Sequence, residues 1–213
     1  MSKIHLELLD NDRLAVFKLL SEFKEVGYLA GGTGLALQIN HRKSDDFDIF
    51  VNHAIDNKLR LRVERIFGKI VYYVNSEDQI SFKTENGINI TFLWYYFKPL
   101  FPFIETEYLP LASIDDITAD KAVTIGRRAV WRDYVDIFYL MKNKMITIED
   151  IIKLAKKKFG GEFIESQFLE QLSYFGDIKQ VPVNYIGRSY SFTEIKTFLE
   201  KQVASYTTKF LKS

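Results

Sequence analysis

The apolar and polar positions of residues 28–51, YLAGGTGLALQINHRKSDDFDIFV, change period twice within one short stretch. The apolar run Tyr28 to Ala30 predicts a strand, and Gly31 and Gly32 permit a tight turn with close backbone approach to a ligand. Thr33 to Ile39 predicts a helix with Thr33 at its N-cap, where the hydroxyl would accept a bond from a first-turn amide. A loop over 40–45 follows. Phe47, Ile49 and Val51 then alternate with Asp46 and Asp48, the period of a half-buried strand over 46–51, which turns both carboxylates to one face.

On either side of this stretch the pattern supplies supporting elements. Leu14, Phe17, Leu20 and Phe23 recur three apart and predict an amphipathic helix over 12–25, ended by Gly27. Ile55, Leu59, Val63 and Ile66 predict another over 55–67, with Lys58, Arg60, Arg62 and Arg65 on a solvated face. From Gly68 the runs shorten and become β-rich, predicting strands over 69–75, 79–85 and 88–95. Asn86-Gly87 predicts a two-residue hairpin turn and antiparallel pairing of the last two. Pro99, Pro102 and Pro110 forbid regular structure over 97–112, which reads as the connection between two lobes. Its aromatics and those just before it, Trp94 to Phe97, Phe101 and Phe103, could stack on a base, although such residues more often cover a core. Beyond Ile114 the period is helical to the end: 115–128, 131–142, 147–159, 162–174 and 193–212, with Thr147 and Asp150 forming a capping-box variant. The pattern divides the chain into an α/β lobe over 1–113 and a helical lobe over 114–213.

Chemistry enters at the glycine turn. A Gly-Gly turn running into a helix presents free N–H groups and the positive helix end, which makes an anion site. Asp46 and Asp48 on one strand face repel each other unless a cation sits between them, and hard oxygen ligands suit Mg²⁺ or Mn²⁺. A phosphate pocket beside a metal pocket points to nucleotide chemistry. Either element alone reads as an ordinary turn or as surface aspartates; the combination is far less easily accidental. A second charged stretch opens the helical lobe. Lys121 and Arg128, seven apart, share a helix face, and Asp133 and Asp136, three apart, share a face of the next helix. A local salt-bridge network with Arg132 is the plain alternative for these residues.

Composition narrows the classes. The 213 residues carry 29 Lys and Arg against 28 Asp and Glu, a net charge of +1 that argues against gripping long nucleic acid by charge alone. The chain has no cysteine, so it builds neither a disulfide framework nor a thiolate metal site. The amino terminus lacks the apolar core of a secretory signal, and no apolar run approaches membrane-spanning length. A soluble, cytoplasmic protein is expected.

Gly31-Gly32-Thr33, His41-Arg42-x-Ser44 and Asp46-x-Asp48, followed by Lys121, Arg128, Arg132-Asp133, Asp136 and Leu140, resemble the nucleotidyltransferase superfamily of DNA polymerase beta type. More narrowly they resemble the AbiEii/AbiGii toxin family. The resemblance covers about residues 29 to 140 and says little about 145–213. It implies an α+β architecture, a nucleotidyltransferase-fold mixed sheet with flanking helices plus a C-terminal helical lobe closing a cleft. It implies Asp46, Asp48, Lys121, Asp133 and Asp136 as catalytic residues. Gly31, Gly32, Thr33, Arg42, Ser44, Lys121 and Arg128 would bind the nucleotide, and Asp46 and Asp48 would hold Mg²⁺ or Mn²⁺. The donor would be an NTP, the acceptor RNA (a tRNA end included) or protein, and the biological role that of a toxin countered by an antitoxin. One departure stands out: the third carboxylate that such enzymes usually place on a neighbouring strand falls at Thr91. Either Asp136 or Glu85 substitutes for it, or activity is altered or lost. The alternative function is a weakened or non-catalytic module that binds a nucleotide or a partner protein.

Overall fold

The computed structural model describes residues 3–210, and the chain divides into two compact units, Met1–Ile114 and Asp115–Ser213. The expected helix end at Lys212 lies outside the described residues.

The first unit is built on a five-stranded mixed sheet. Helix α1 (Asn11–Leu19) is capped by Asp10, which accepts from the Arg13 amide, and runs on as a 3-10 turn over Leu20–Phe23. Strand β1 (Gly27–Leu29), helix α2 (Gly31–Ile39), strand β2 (Phe47–Val51) and helix α3 (Asn57–Phe67) follow, then β3 (Tyr72–Asn75), β4 (Gln79–Lys83) and β5 (Asn89–Trp94). The strand order is β1-β2-β5-β4-β3, with β2 and β5 parallel and the other neighbours antiparallel.

Alternation along the strands sorts the two faces. Phe47, Ile49, Ile80, Phe82, Ile90 and Phe92 enter one buried core with Phe17, Phe23, Leu59 and Val63 from the helices. Phe17 stacks on Phe47 at 5.9 Å between ring centroids, and Phe23 meets Phe92 at 4.9 Å. Each such side chain contributes roughly 1.5–3 kcal/mol through burial. The intervening residues, Asp48 and Phe50 on β2, Thr91 on β5 and Ser81 on β4, turn to the other face.

Two connections differ from expectation. Between β4 and β5 the Gly87 amide donates to the Thr84 carbonyl at 2.8 Å and the Thr84 amide to the Ile88 carbonyl at 3.0 Å. Only Gly87, at φ +76°, is left-handed. The turn is therefore a three-residue loop with a glycine bulge, one residue longer than the Asn-Gly signal suggested, although the antiparallel pairing is as expected. The proline-rich segment has no helix or extended strand, but it returns to the sheet. The Leu29 amide donates to the Pro110 carbonyl at 2.8 Å, and the Ala112 amide to the Leu29 carbonyl at 2.9 Å. Backbone groups of β1 that would face outward at the sheet edge are thereby satisfied.

The second unit is helical: α4 (Ile114–Arg127), α5 (Trp131–Lys142), α6 (Ile148–Phe159), α7 (Glu165–Ser173) and α8 (Phe192–Phe210). The capping box expected at Thr147 and Asp150 is present at the start of α6. Tyr134 of α5 donates its hydroxyl to the Gln171 carbonyl at 2.9 Å, and burial pushes the Tyr134 pKa up to about 12.

Candidate active site

The site in the first unit starts from one backbone conformation. Gly31 has φ +62°, in the left-handed region, and a Cβ there would collide with Asp48 Oδ2. This lets the chain pass from Ala30, whose amide donates to the Asp48 carbonyl at 2.9 Å, directly into α2. The helix thus begins two residues earlier than the cap rule placed it, and Thr33 is not its N-cap. The cap position is Ala30, which offers no side-chain acceptor to the first-turn amides. Thr33 is buried inside the helix, and its hydroxyl donates to the Asp46 carbonyl, tying α2 to the entry of β2. A Cβ on Gly32 would stand 2.7 Å from Arg42 Nη2 and 3.2 Å from Ser44 Oγ, so Gly32, Arg42 and Ser44 converge. Arg42 is 2% exposed and donates from Nη1 to the Lys43 carbonyl at 3.1 Å. His41 beside it is fully buried.

Asp48 stands on β2, while Asp46 lies one residue before the strand begins. What orients Asp46 is Asn89 of β5, whose Nδ2 donates to Asp46 Oδ1 at 2.7 Å. Asn89 and Thr91 share a face of β5, and Thr91 is the register partner of Asp48. The row continues to Ser81 on β4, whose Oγ lies 3.1 Å from Thr91 Oγ1 and accepts from Gln79 Nε2 at 2.8 Å. The position beside the two carboxylates is therefore neutral and already hydrogen-bonded to a neutral neighbour. Glu85, the other candidate for a third carboxylate, sits exposed in the hairpin loop, off this strand face. Among the described residues no group of three or more His, Cys, Asp or Glu could hold a metal ion. Two carboxylates without nitrogen or sulfur ligands nonetheless suit a hard divalent cation that draws its remaining ligands from water and substrate phosphates.

The second unit gathers a separate charged cluster. Lys121 Nζ of α4 lies 2.6 Å from Asp133 Oδ1 and 2.7 Å from Asp136 Oδ2 of α5. The spacing of three brings both aspartates to one face of α5. Their side chains differ in access: Asp133 is 13% exposed and Asp136 0%. Arg128 is not drawn into this cluster. It lies just past the end of α4, exposed, with its amide still bonded to the Thr124 carbonyl at 2.9 Å.

A second buried triad escaped the reading of the sequence. Lys158 of α6 pairs with Asp116 at 3.0 Å and Asp120 at 2.7 Å, both on α4. In a run of three lysines nothing in the sequence marks Lys158 as buried; its position on the same face as Ile151 and Ala155 was the available signal. Asn89 was missed as well, because its partner appears only when the register of β2 and β5 is known.

Comparison with known proteins matches this architecture. The family model of the nucleotidyl transferase AbiEii toxin, of type IV toxin-antitoxin systems, matches residues 15–185. An uncharacterised protein of Aquifex aeolicus, aq_aa25, is 29% identical over 186 residues, covering 84% of this chain and 87% of that one. Among solved structures, MenT4, a nucleotidyltransferase toxin from Mycobacterium tuberculosis, superposes with a TM-score of 0.61 at 15% identity, covering 91% of this chain and 82% of that one. JHP933 from Helicobacter pylori does so at 0.56 and 16% identity, covering 99% and 100%. Among the described residues no helix is long and apolar enough to cross a membrane. With the family model spanning most of its length and a mixed sheet of the same fold as these neighbours, the chain belongs to the AbiEii family of nucleotidyltransferase toxins.

Proposed function

We propose that the chain transfers a nucleotide from an NTP to an acceptor hydroxyl at the site formed by the Gly31-Gly32 turn, Arg42, Ser44, Asp46 and Asp48. The observation that carries this reading is the approach of Gly31 to Asp48, so close that no Cβ fits between them. It puts the uncapped start of α2, suited to phosphate oxygens, against a carboxylate suited to a cation. In the reaction the acceptor oxygen bonds to the α-phosphorus, the bond to the β-phosphate oxygen breaks, and pyrophosphate leaves. Such transfer depends mainly on alignment and charge stabilisation, and no covalent nucleophile is required.

In this reading Asp46 and Asp48 would hold Mg²⁺ or Mn²⁺, which would offset phosphate charge. Arg42 and the α2 amides bind phosphate oxygens, Ser44 adds a hydroxyl, and Thr33 positions Asp46 through its carbonyl rather than touching the nucleotide. The helical unit carries its own charged cluster, in which Lys121 is held by Asp136 and by Asp133, the carboxylate with solvent access. RNA, a tRNA end included, is the favoured acceptor and protein the second. An antitoxin partner and a cytoplasmic location complete the reading. The neutral hydroxyls of Thr91 and Ser81 beside Asp48 favour a second reading, in which the fold binds a nucleotide or partner protein without transfer.

The test is mass analysis of RNA and of protein after incubation with each labelled NTP and Mg²⁺ or Mn²⁺. A nucleotide mass added to one acceptor class supports transfer. No addition to either class with any NTP, from protein that binds nucleotide, supports the second reading.

A further inference from the structure

Beyond the carboxylate pair, β2 carries a feature that the transfer reading leaves unused. Phe50 follows Asp48 by two residues on the same strand face, roughly 7 Å further along. Its register partner on β1 is Tyr28, at 5.9 Å between ring centroids, and Tyr95 lies over it at 4.3 Å. Phe103 of the proline-rich segment continues the series, 4.5 Å from Tyr28 and tilted by 32°. Four rings therefore run in succession from Tyr95, just past the end of β5, across β2 and β1 to the proline-rich segment.

Tyr28, Phe50 and Phe103 border a cavity of about 700 Å³, whose walls include Phe101 and whose polar groups include Asn52 and Lys98. Its volume falls in the range of small-molecule sites, and its lining mixes four aromatic rings and three prolines with charged and polar side chains. The charges around it balance, Lys24 and Lys98 against Glu25 and Glu105. A triphosphate has no matching positive field there, whereas an uncharged planar ring needs none. The prolines at 99, 102 and 110 hold the outer wall, and Phe103 is 38% exposed, so its ring is available to a partner.

We propose that this cavity is a stacking subsite for the terminal bases of a single-stranded RNA acceptor. The proposal rests on the transfer reading for its choice of ligand. Phe103, the exposed end of the series, suits a terminal base, because every base has a face that stacks and no sequence readout is needed. One strand repeat separates Phe50 from Asp48, which brings the terminal ribose of a stacked strand toward the carboxylate pair. A net charge of +1 fits recognition of a strand end by stacking better than capture of a long backbone by charge.

The experiment uses the full chain and a hexaribonucleotide with 2-aminopurine at its 3′ end, alongside 2-aminopurine riboside triphosphate as a separate arm. Stacking quenches the fluorophore. The expected result is saturable quenching of the oligonucleotide, about tenfold or more weaker binding by Phe103→Ala, and recovery in Phe103→Trp, in line with the usual contribution of one aromatic to stacking. Binding of the oligonucleotide is read without NTP or metal, so failure of transfer and failure of this subsite are told apart. Equal quenching by native and Phe103→Ala proteins overturns the proposal. So does quenching of the triphosphate alone, which would make the cavity a donor-base site, and so does absence of quenching in both arms.

Discussion

Asp48 on β2 and Thr91 on β5 are register partners in the parallel pair at the centre of the sheet, so a hydroxyl stands where a third carboxylate would complete an acidic row. Removing one negative charge from a hard-cation site weakens the ion's hold and leaves more of the coordination to substrate phosphates. Thr91→Asp should tighten Mn²⁺ binding without nucleotide by about tenfold or more, a difference of roughly 1.4 kcal/mol. With a nonhydrolysable NTP present the gap between the two proteins should narrow. Calorimetric titration checks both statements, and equal affinities in the absence of nucleotide would remove Thr91 from the site.

Asn89 should act through Asp46. Its amide holds Asp46 Oδ1 at 2.7 Å, and groups that orient a ligand carboxylate typically contribute about 10- to 100-fold to metal affinity or activity. Asn89→Ala should lower kcat by that factor with a smaller change in KM for the NTP. Its loss of stability should be modest, about 1.5 kcal/mol, as for one hydrogen bond to a charged group. A large loss of stability with unchanged kcat would assign Asn89 a purely structural part.

Lys158 makes a prediction about the helical unit alone. With its side chain 1% exposed and paired to Asp116 and Asp120, replacement by Met leaves two carboxylates without their cation. Urea denaturation should show a loss of about 3–5 kcal/mol. Replacing Asp116 and Asp120 by Asn in the same protein should recover part of it, because the uncompensated charges are then gone.

Glu165 supplies a pH dependence. Burial raises its pKa, but hydrogen bonds from Lys156 and Tyr206 and the Lys156 charge outweigh this and hold it below the ordinary 4.5. A lowered folded pKa contributes stability that is present above the unfolded value and disappears as pH falls through the folded one. Glu165→Gln should therefore be less stable than the native chain at pH 7, and the difference should shrink as the pH is taken below about 4. A difference that stays constant with pH would show that packing at this position, not charge, is responsible.

Much of this was legible because strong periodicities have few solutions. The bounds of α5 follow from its apolar stripe, and Thr91 falls on the polar side of β5 because Ile88, Ile90 and Phe92 claim the other. What was hidden depended on conformation or register. The early start of α2 rests on positive φ at Gly31, which cap statistics built on polar side chains do not anticipate. The bond from Asn89 to Asp46 spans two strands and needs their alignment, and a buried lysine within three consecutive lysines looks like its solvated neighbours. The return of residues 110–112 to β1 was equally invisible, since backbone pairing carries no side-chain signature.

The central claim is that the carboxylate beside the glycine turn operates the transfer site, and Asp48→Asn isolates it by removing charge while keeping size. Labelled-NTP transfer by native and variant proteins, each shown by circular dichroism and thermal melting to be folded, is the most direct test. The expected result is transfer by the native chain and a loss of at least about 100-fold in the variant, the scale on which a single electrostatic group at a reacting centre contributes. Transfer by folded Asp48→Asn at the native rate would contradict it.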